Sequence, residues 1–554
     1  MLGWKSFRAI RPEAGEATMK TEATTLMPDQ PVTQAPISSA PSSLFDLNIK
    51  NTSLFVLAML ILYSAFRSIC QAATKPFWYD EICTFMMVRQ HRISVLWSAL
   101  RDGADGQPPG FYLAERLPTA LIANENISFR ILSIFGFLFT VLCLFFLIKK
   151  RRGSAVAVLC AAIPLITVLY DIFAVESRPY SLVVACISFA LICYQKAPSG
   201  RWIILMGMSL ALAQSFHYFA FFAFLPFLIS EAVLLIAERQ VRWAVWLAFG
   251  CGFLPLVAFW PLLSRSRVIY GEHFWSLPSL QMAEASYGWY LRTSLPTGMG
   301  LTAASAVAVL GTLLYRIRRG GLQESKGSVS LQEPLMILSF LSLPFVAIAA
   351  TKLAHSGMTS KYVLSTVLGF PLAVSYALPR SGRKGMALVF SIFLLLLSSQ
   401  EILFWSSYHG HFPSPADAVE DFVDSAGHGN LPVVVSDVQE FMPLAHYASP
   451  EWKKRFVSVV DPSQAVVYTG SDTGDKELPI LASYFPLNVY EFHTFAAEHP
   501  TFLLYSSHGG LDGDWWPRKL QQDGYTLRPV AVKPRAEHDF FHRVFLVSRT
   551  EDAD

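Results

Sequence analysis

Apolar runs of bilayer-crossing length recur along most of this chain, and the polar stretches between them hold its candidate chemistry. The first run lies near 52–70 and is about long enough for a hydrocarbon core of roughly 30 Å. After a long polar interval, further runs lie near 130–148, 154–171, 180–195, 202–218, 219–237, 243–263, 299–316, 334–352, 361–378 and 386–405. The pattern predicts a polytopic α-helical membrane protein with about eleven transmembrane helices.

The polar interval forms a loop over 71–128. Within it, Ser94–Leu100 has the spacing of a short interfacial helix. Gln107-Pro108-Pro109-Gly110 is expected to stop that helix, because paired prolines cannot continue it. Phe111 through Ile122 is apolar but short for a crossing. Residues 1–45 are rich in Pro, Ser, Thr, Ala and Glu without apolar periodicity, and read as a disordered cytoplasmic leader. The first apolar run starts too far along for an ordinary signal peptide, and no small-residue cleavage site follows it.

From about 412 the pattern changes. Leu431–Val435, Phe456–Val460, Thr501–Tyr505, Leu527–Val532 and Val544–Val547 read as strands, alternating with helical stretches such as Ala416–Ser425 and Val489–Glu498. A soluble α/β domain over 412–554 is predicted, behind a membrane domain over 46–411. No glycine-rich phosphate loop supports nucleotide binding by this domain.

Composition agrees: 53% of residues are hydrophobic and 15% charged, where soluble domains average about 25% charged. Charge is uneven, with 21 acidic and 11 basic residues in 412–554 against 20 and 33 in the rest. The acidic tail argues against nucleic acid or anionic headgroups as its partners. The basic excess sits in alternate connections: Lys149-Lys150-Arg151-Arg152, Lys196 with Arg201, Arg239 with Arg242, Arg316 with Arg318-Arg319, and Arg380 with Arg383-Lys384. With a cytoplasmic amino terminus all of these fall inside, and the loop 71–128 and the tail fall together outside the cytoplasm. None of the seven cysteines lies in the tail. Cys70 and Cys83 are placed to pair on an oxidising side, although thiols near apolar spans are more often small buried hydrophobes.

The polar residues that call for a reason begin with Lys75-Pro76-Phe77-Trp78-Tyr79-Asp80-Glu81, where two adjacent carboxylates follow an aromatic triplet at a membrane surface. Helix capping by Asp80 is one reading. The other is a polar cavity, because further ionisable and hydroxyl groups gather at the same ends of the spans: Arg130, Asp171, Glu176, Arg178, Tyr180, His217, Tyr218, His273, His355, Lys361 and Tyr362.

Five stretches in order, Phe77–Glu81, Pro108–Leu113, Phe129–Ser133, Glu176–Leu182 and His217–Ala220, resemble successive landmarks of bacterial membrane glycosyltransferases. The family is the protein O-mannosyltransferase and aminoarabinose-transferase-like branch of the GT-C superfamily. The resemblance covers roughly 50–265, and Ser360–Leu364 resembles a later landmark in which many relatives have Arg where this chain has Lys361. Gln107 stands where relatives often have His.

The resemblance implies transfer of a hexosyl or pentosyl group from a polyprenyl-phosphate sugar to a protein, lipid or glycan acceptor, at the outer face of a bacterial cytoplasmic (inner) membrane. It implies Asp80 as catalytic base, with Glu81 beside it. A carboxylate within reach of the acceptor hydroxyl can take its proton. Two neighbouring carboxylates would tend to raise one pKa. The phosphate leaving group needs cations, for which the candidates are Arg178, Lys361, Arg130, Lys75 and His217. Tyr79, Glu176, Tyr180, Tyr218, Tyr362 and His355 are expected to line the cavity. No separate nucleophile is evident, so single-displacement inversion is expected.

Asp80, Glu81 and nearby histidines offer metal ligands, but no ligand spacing requires a divalent ion, and no cofactor is expected. A flippase or transporter of lipid-linked sugars is the rival reading. Transporters place ionisable groups at mid-membrane, often in repeated halves. Here these groups cluster at one face, without a visible repeat.

Overall fold

A computed structural model describes residues 44–197, 199–292, 311, 332–378, 383–507, 515–534 and 541–549. The predicted leader, apart from its last two residues, and the predicted span near 299–316, apart from Gly311, lie outside the described residues. The chain divides into a short unit, Met1–Leu47, of which only the start of the first helix is described, and a main unit, Asn48–Asp554.

Five described helices are long and apolar enough to cross a bilayer: Thr52–Thr74, Glu125–Arg152, Tyr218–Ala237, Gln332–Leu353 and Ala387–Ser407. The pair Trp243–Ala258 and Trp260–Tyr270, bent by 54°, is apolar enough together to be a sixth, broken crossing or a re-entrant loop. The bend falls at Phe259, whose φ of −96° and ψ of 8° are not helical, and Pro261 follows it. Proline removes an N–H and crowds the preceding turn, which is a standard cause of a kink.

The run near 154–171, predicted as one span, is broken for the same reason. Helix Ser154–Ala161 gives way to a 3-10 turn, Ile163–Ile166, around Pro164, and a short helix resumes at Val168–Phe173. Close packing of the bundle depends on glycine. A Cβ at Gly136 would stand 2.9 Å from the backbone nitrogen of Leu182, so the helices Ile131–Arg152 and Tyr180–Lys196 meet nearly backbone to backbone.

The polar loop is itself helical. Tyr79–Arg89, Ile93–Asp102 and Pro109–Leu121 fold in succession. The stop expected at Gln107–Gly110 comes earlier, at Gly103, whose φ of 98° ends the helix in the left-handed region open to glycine. Pro109 starts the next helix instead, since the first helical position has no N–H to lose.

The tail is a six-stranded sheet in the order β3-β2-β1-β4-β6-β5. Its strands are β1 (Val433–Val435), β2 (Phe456–Val460), β3 (Val489–Glu491), β4 (Thr501–Ser506), β5 (Tyr525–Pro534) and β6 (Phe541–Arg549). The first four are parallel, and β6 runs antiparallel to both β4 and β5. β1 and β2 are buried throughout, and their unbroken Val-rich runs are the pattern of strands covered on both faces. The stretch expected to be one helix over Val489–Glu498 is β3 followed by a helix at Phe492–Glu498.

The sheet domain is tied to the polar loop. The Tyr447 hydroxyl accepts from the backbone N–H of Phe77 at 2.7 Å, the Tyr484 hydroxyl donates to Asp102 at 2.5 Å, and Lys476 donates to the carbonyl of Ile269 at 3.1 Å.

Candidate active site

Helix Tyr79–Arg89, with Trp78 at its N-cap position, starts two residues too early for Asp80 to cap it. Asp80 and Glu81 therefore both lie in its first turn, and successive helical residues point about 100° apart. Their partners differ accordingly.

Glu81 takes the bland role. Its Oε2 accepts from the Trp78 N–H at 3.4 Å, and its Oε1 from the Ser177 N–H at 2.7 Å. Both oxygens also hold Arg130, at 2.8 Å to Nε and 2.7 Å to Nη2. Arg130 donates further to the carbonyls of Ala72, Lys75 and Pro76. Both side chains are fully buried. Arg130, expected among the phosphate ligands, has every guanidinium nitrogen engaged, and Glu81, expected to be catalytic, has no free oxygen. The pair instead fixes the loop Lys75–Trp78 on which Asp80 is mounted.

Asp80 faces the other way. Its Oδ2 lies 2.6 Å from Lys361 Nζ and 3.8 Å from Arg178 Nε. Burial alone would raise the Asp80 carboxyl, but Arg178 and Lys361 outweigh it and hold the group below its ordinary range. The expectation that paired carboxylates raise one another's pKa fails here, because each has its own cation. Arg178 also donates to Asp105 at 2.8 Å and to Thr84 at 3.2 Å.

Two cavities open near Asp80. One is lined by Lys75, Trp78, Phe173, Glu176, Trp289 and Lys361. Lys361 Nζ lies 4.9 Å from the Trp78 ring centre and 5.6 Å from that of Tyr180. Neither Glu176 oxygen has a hydrogen-bond partner among the described residues, and burial pushes this carboxyl up to about 7 against the pull of Lys361 and Lys75.

The second cavity spans about 890 Å3 including its mouth and is lined by Asp80, Asp105, Arg178, His217, Tyr218 and Tyr362, among others. His217 Nδ1 accepts from the Phe219 N–H at 3.1 Å, so the neutral ring carries its proton on Nε2. His217 thus offers an N–H donor rather than the expected cation.

The structure brings Asp80, Arg178, Lys361, Lys75, Glu176, His217, Tyr218 and Tyr362 to these cavities. Tyr79 and Tyr180 are not among the lining residues of either. His355, expected in the cavity, is exposed with φ at 48°; it occupies a turn that points it elsewhere. Asp171, also grouped with these residues, is bound by Arg67 and Gln400. Cys70 and Cys83 are both free thiols.

Several lining residues went unnoticed in the sequence, among them the cation Arg267 and two acids, Asp105 and Glu477. Asp105 had a faint signal, an acidic residue between two glycines just before the paired prolines. Glu477, from helix Thr473–Tyr484 of the sheet domain, had none. Among the described residues no group of three His, Cys, Asp or Glu side chains is arranged to hold a metal ion.

Residues 106–264 match the family described as dolichyl-phosphate-mannose-protein mannosyltransferase. No curated protein sequence matches the chain. Among solved structures, ArnT from Cupriavidus metallidurans bound to undecaprenyl phosphate is similar at 12% identity and a TM-score of 0.52, over 89% of this chain and 97% of that one. The oligosaccharyltransferase of Archaeoglobus fulgidus in complex with Zn and sulfate is similar at 12% identity and a TM-score of 0.47, over 87% of this chain and 72% of that one. The chain has the fold of the GT-C superfamily of membrane glycosyltransferases, and residues 106–264 carry the sequence pattern of the mannosyltransferase family.

Proposed function

We propose that this protein transfers a sugar from a polyprenyl-phosphate-linked donor to an acceptor hydroxyl at the outer face of a bacterial cytoplasmic membrane, with Asp80 as general base. The observation that carries the reading is the position of Asp80 between a lysine-bearing cavity with apolar walls and a polar cavity, in contact with both Lys361 and Arg178. The matched family acts with dolichyl-phosphate-mannose, and the solved ArnT structure holds undecaprenyl phosphate.

Lys75 and Lys361 receive the donor phosphate, with its lipid chain against Phe173 and Trp289. Binding the phosphate draws Lys361 away from Asp80. That loss removes one of the two cations that keep Asp80 a weak base, so the base is activated when the donor is present. Asp80 then takes the acceptor hydroxyl proton as the oxygen attacks the anomeric carbon. The carbon–oxygen bond to phosphate breaks, its electron pair stays on the leaving polyprenyl phosphate, and configuration inverts. Arg178 and Lys361 stabilise the charge that develops there. Arg130 and Glu81 act by holding the loop, and the reaction runs without a metal.

The test supplies purified protein with polyprenyl-phosphate sugars and follows release of polyprenyl phosphate. Asp80→Asn is expected to bind donor and to lose turnover by at least a hundredfold, on the order of general-base catalysis. Normal turnover by the variant sinks the base assignment. Translocation of intact donor across vesicles without consumption moves the protein to the transporter class, and a trapped covalent glycosyl-enzyme excludes single displacement.

A further inference from the structure

Helix Thr473–Tyr484 carries the sheet domain into the polar cavity. Glu477 lines that cavity together with Asp105 and Asp80, and the Cys83 thiol donates to its Oε1 across 3.9 Å. The helix is pinned around this residue. Thr473 Oγ1 accepts from the Trp275 N–H at 3.1 Å, Lys476 is bonded to the Ile269 carbonyl, and Tyr484 is bonded to Asp102.

A carboxyl group brought into a wall that already holds two others is costly unless it does something there. Burial, with Asp105 adding to it, pushes Glu477 up to about 8. Near pH 7 it is mostly the neutral acid, with one O–H to donate and one carbonyl oxygen to accept. Asp105 accepts from Arg178 through Oδ2, and its carboxylate also faces the Tyr112 hydroxyl. Around them stand the rings of Tyr218, Phe219, Tyr270, Phe274 and Trp275.

A ligand matching this wall has neighbouring groups that both donate and accept, and an apolar face to lay on an aromatic ring. A sugar ring has both. A phosphate has only acceptors; Arg178, paired with Asp80 and Asp105, and Arg267 also line this cavity, but the part of the wall formed by Glu477, Asp105 and Asp80 would set three carboxyl groups against it.

We propose that Glu477 and Asp105 form a sugar-reading subsite, through which the carboxyl-terminal domain selects the substrate: hydroxyls of one sugar ring hydrogen-bond the two side chains while its C–H face packs on the aromatic wall. This rests on the transferase reading above. The ring has two sources with the same chemistry, the sugar of the donor lipid or a sugar acceptor.

The experiment uses the full chain in nanodiscs and measures equilibrium binding of three probes. These are bare undecaprenyl phosphate, undecaprenyl phosphate bearing glucose, mannose or galactose, and the methyl glycosides of the same sugars. In wild type at least one sugar probe is expected to bind with a preference among the three sugars. Glu477→Ala weakens that binding at least tenfold, and Glu477→Gln, which keeps the shape and both hydrogen-bonding senses, weakens it less and alters the preference. Both variants leave bare undecaprenyl phosphate within twofold.

A loss confined to the glycosylated lipids assigns the ring to the donor; a loss confined to the methyl glycosides assigns it to an acceptor. Either supports the subsite. It is overturned if no sugar probe shows a preference, or if both variants bind sugars as wild type does. Failure of bare undecaprenyl phosphate to bind wild type is a separate result that counts against the transferase reading. If Glu477→Ala does not fold, the preference of Glu477→Gln decides.

Discussion

Glu176 is the residue whose chemistry is most open to a pH experiment. It sits between helices Val168–Phe173 and Tyr180–Lys196, 3% exposed, beside Lys75 and Lys361. Burial lifts its pKa to about 7, while the two lysines pull it down and Asp80 and Glu81 push it up. The raised value means a neutral acid below pH 7 and an added negative charge above it. That charge competes with a phosphate for the same two lysines, so donor affinity falls as pH rises through 7. The donor is a phosphodiester, singly charged across this range, so the change comes from the protein. Binding of an undecaprenyl-phosphate sugar should weaken roughly three- to tenfold between pH 6 and pH 8, in line with loss of about one unit of favourable pKa coupling. Glu176→Gln should flatten the profile at the acid-side affinity. An unchanged profile in the variant would show that another group titrates.

At the scale of elements, the site depends on helix Pro109–Leu121 lying hard against helix Gly200–Phe216, which ends at His217. A Cβ on Gly110 would meet the Ser215 backbone oxygen at 2.4 Å. Backbone cannot swing aside as a side chain can, so Gly110→Ala forces the two helices apart. The expected cost is about 1–3 kcal/mol, typical of overpacking, read as a lower melting temperature together with weaker donor binding as His217 and Tyr218 shift. A variant that melts like wild type would refute this contact.

The same stretch shows what the sequence made legible. Pro108-Pro109-Gly110 was visible as a break, yet its function as a helix start and a close contact depends on a partner about a hundred residues away. Long apolar runs and Val-rich strands were readable because burial on all sides leaves a continuous apolar stretch in the local sequence. Asp80, Arg178 and Lys361 were readable as polar groups at span ends. What distinguishes Asp80 from Glu81, or His217 from His355, is which partner each meets in space. Glu477 meets Cys83 from 394 residues along the chain, and no local pattern records that meeting.

For the whole molecule, the arrangement requires the sheet domain and the polar loop to share one side of the membrane, because Tyr447, Lys476 and Tyr484 bond directly to the loop and to the end of the bent helix pair. The positive-inside rule predicts the basic connections on the other side. Lys149–Arg152, Lys196 and Arg201 are described, and the connection at 316–319 lies outside the described residues. Labelling decides this orientation with two exposed positions, Val467 in the sheet domain and Ser199 in a basic connection. In a background with the seven native cysteines replaced by serine, Val467→Cys in spheroplasts should react with a membrane-impermeant maleimide. Ser199→Cys should react only after permeabilisation. Because a lipid-linked donor is used on the face that holds Asp80, the reverse labelling would place transfer on the cytoplasmic side. Labelling of both from one side would mean an even number of crossings between them and, with the sheet domain docked on the loop, an even number between the loop and Ser199, so that the broken run Ser154–Phe173 would not cross.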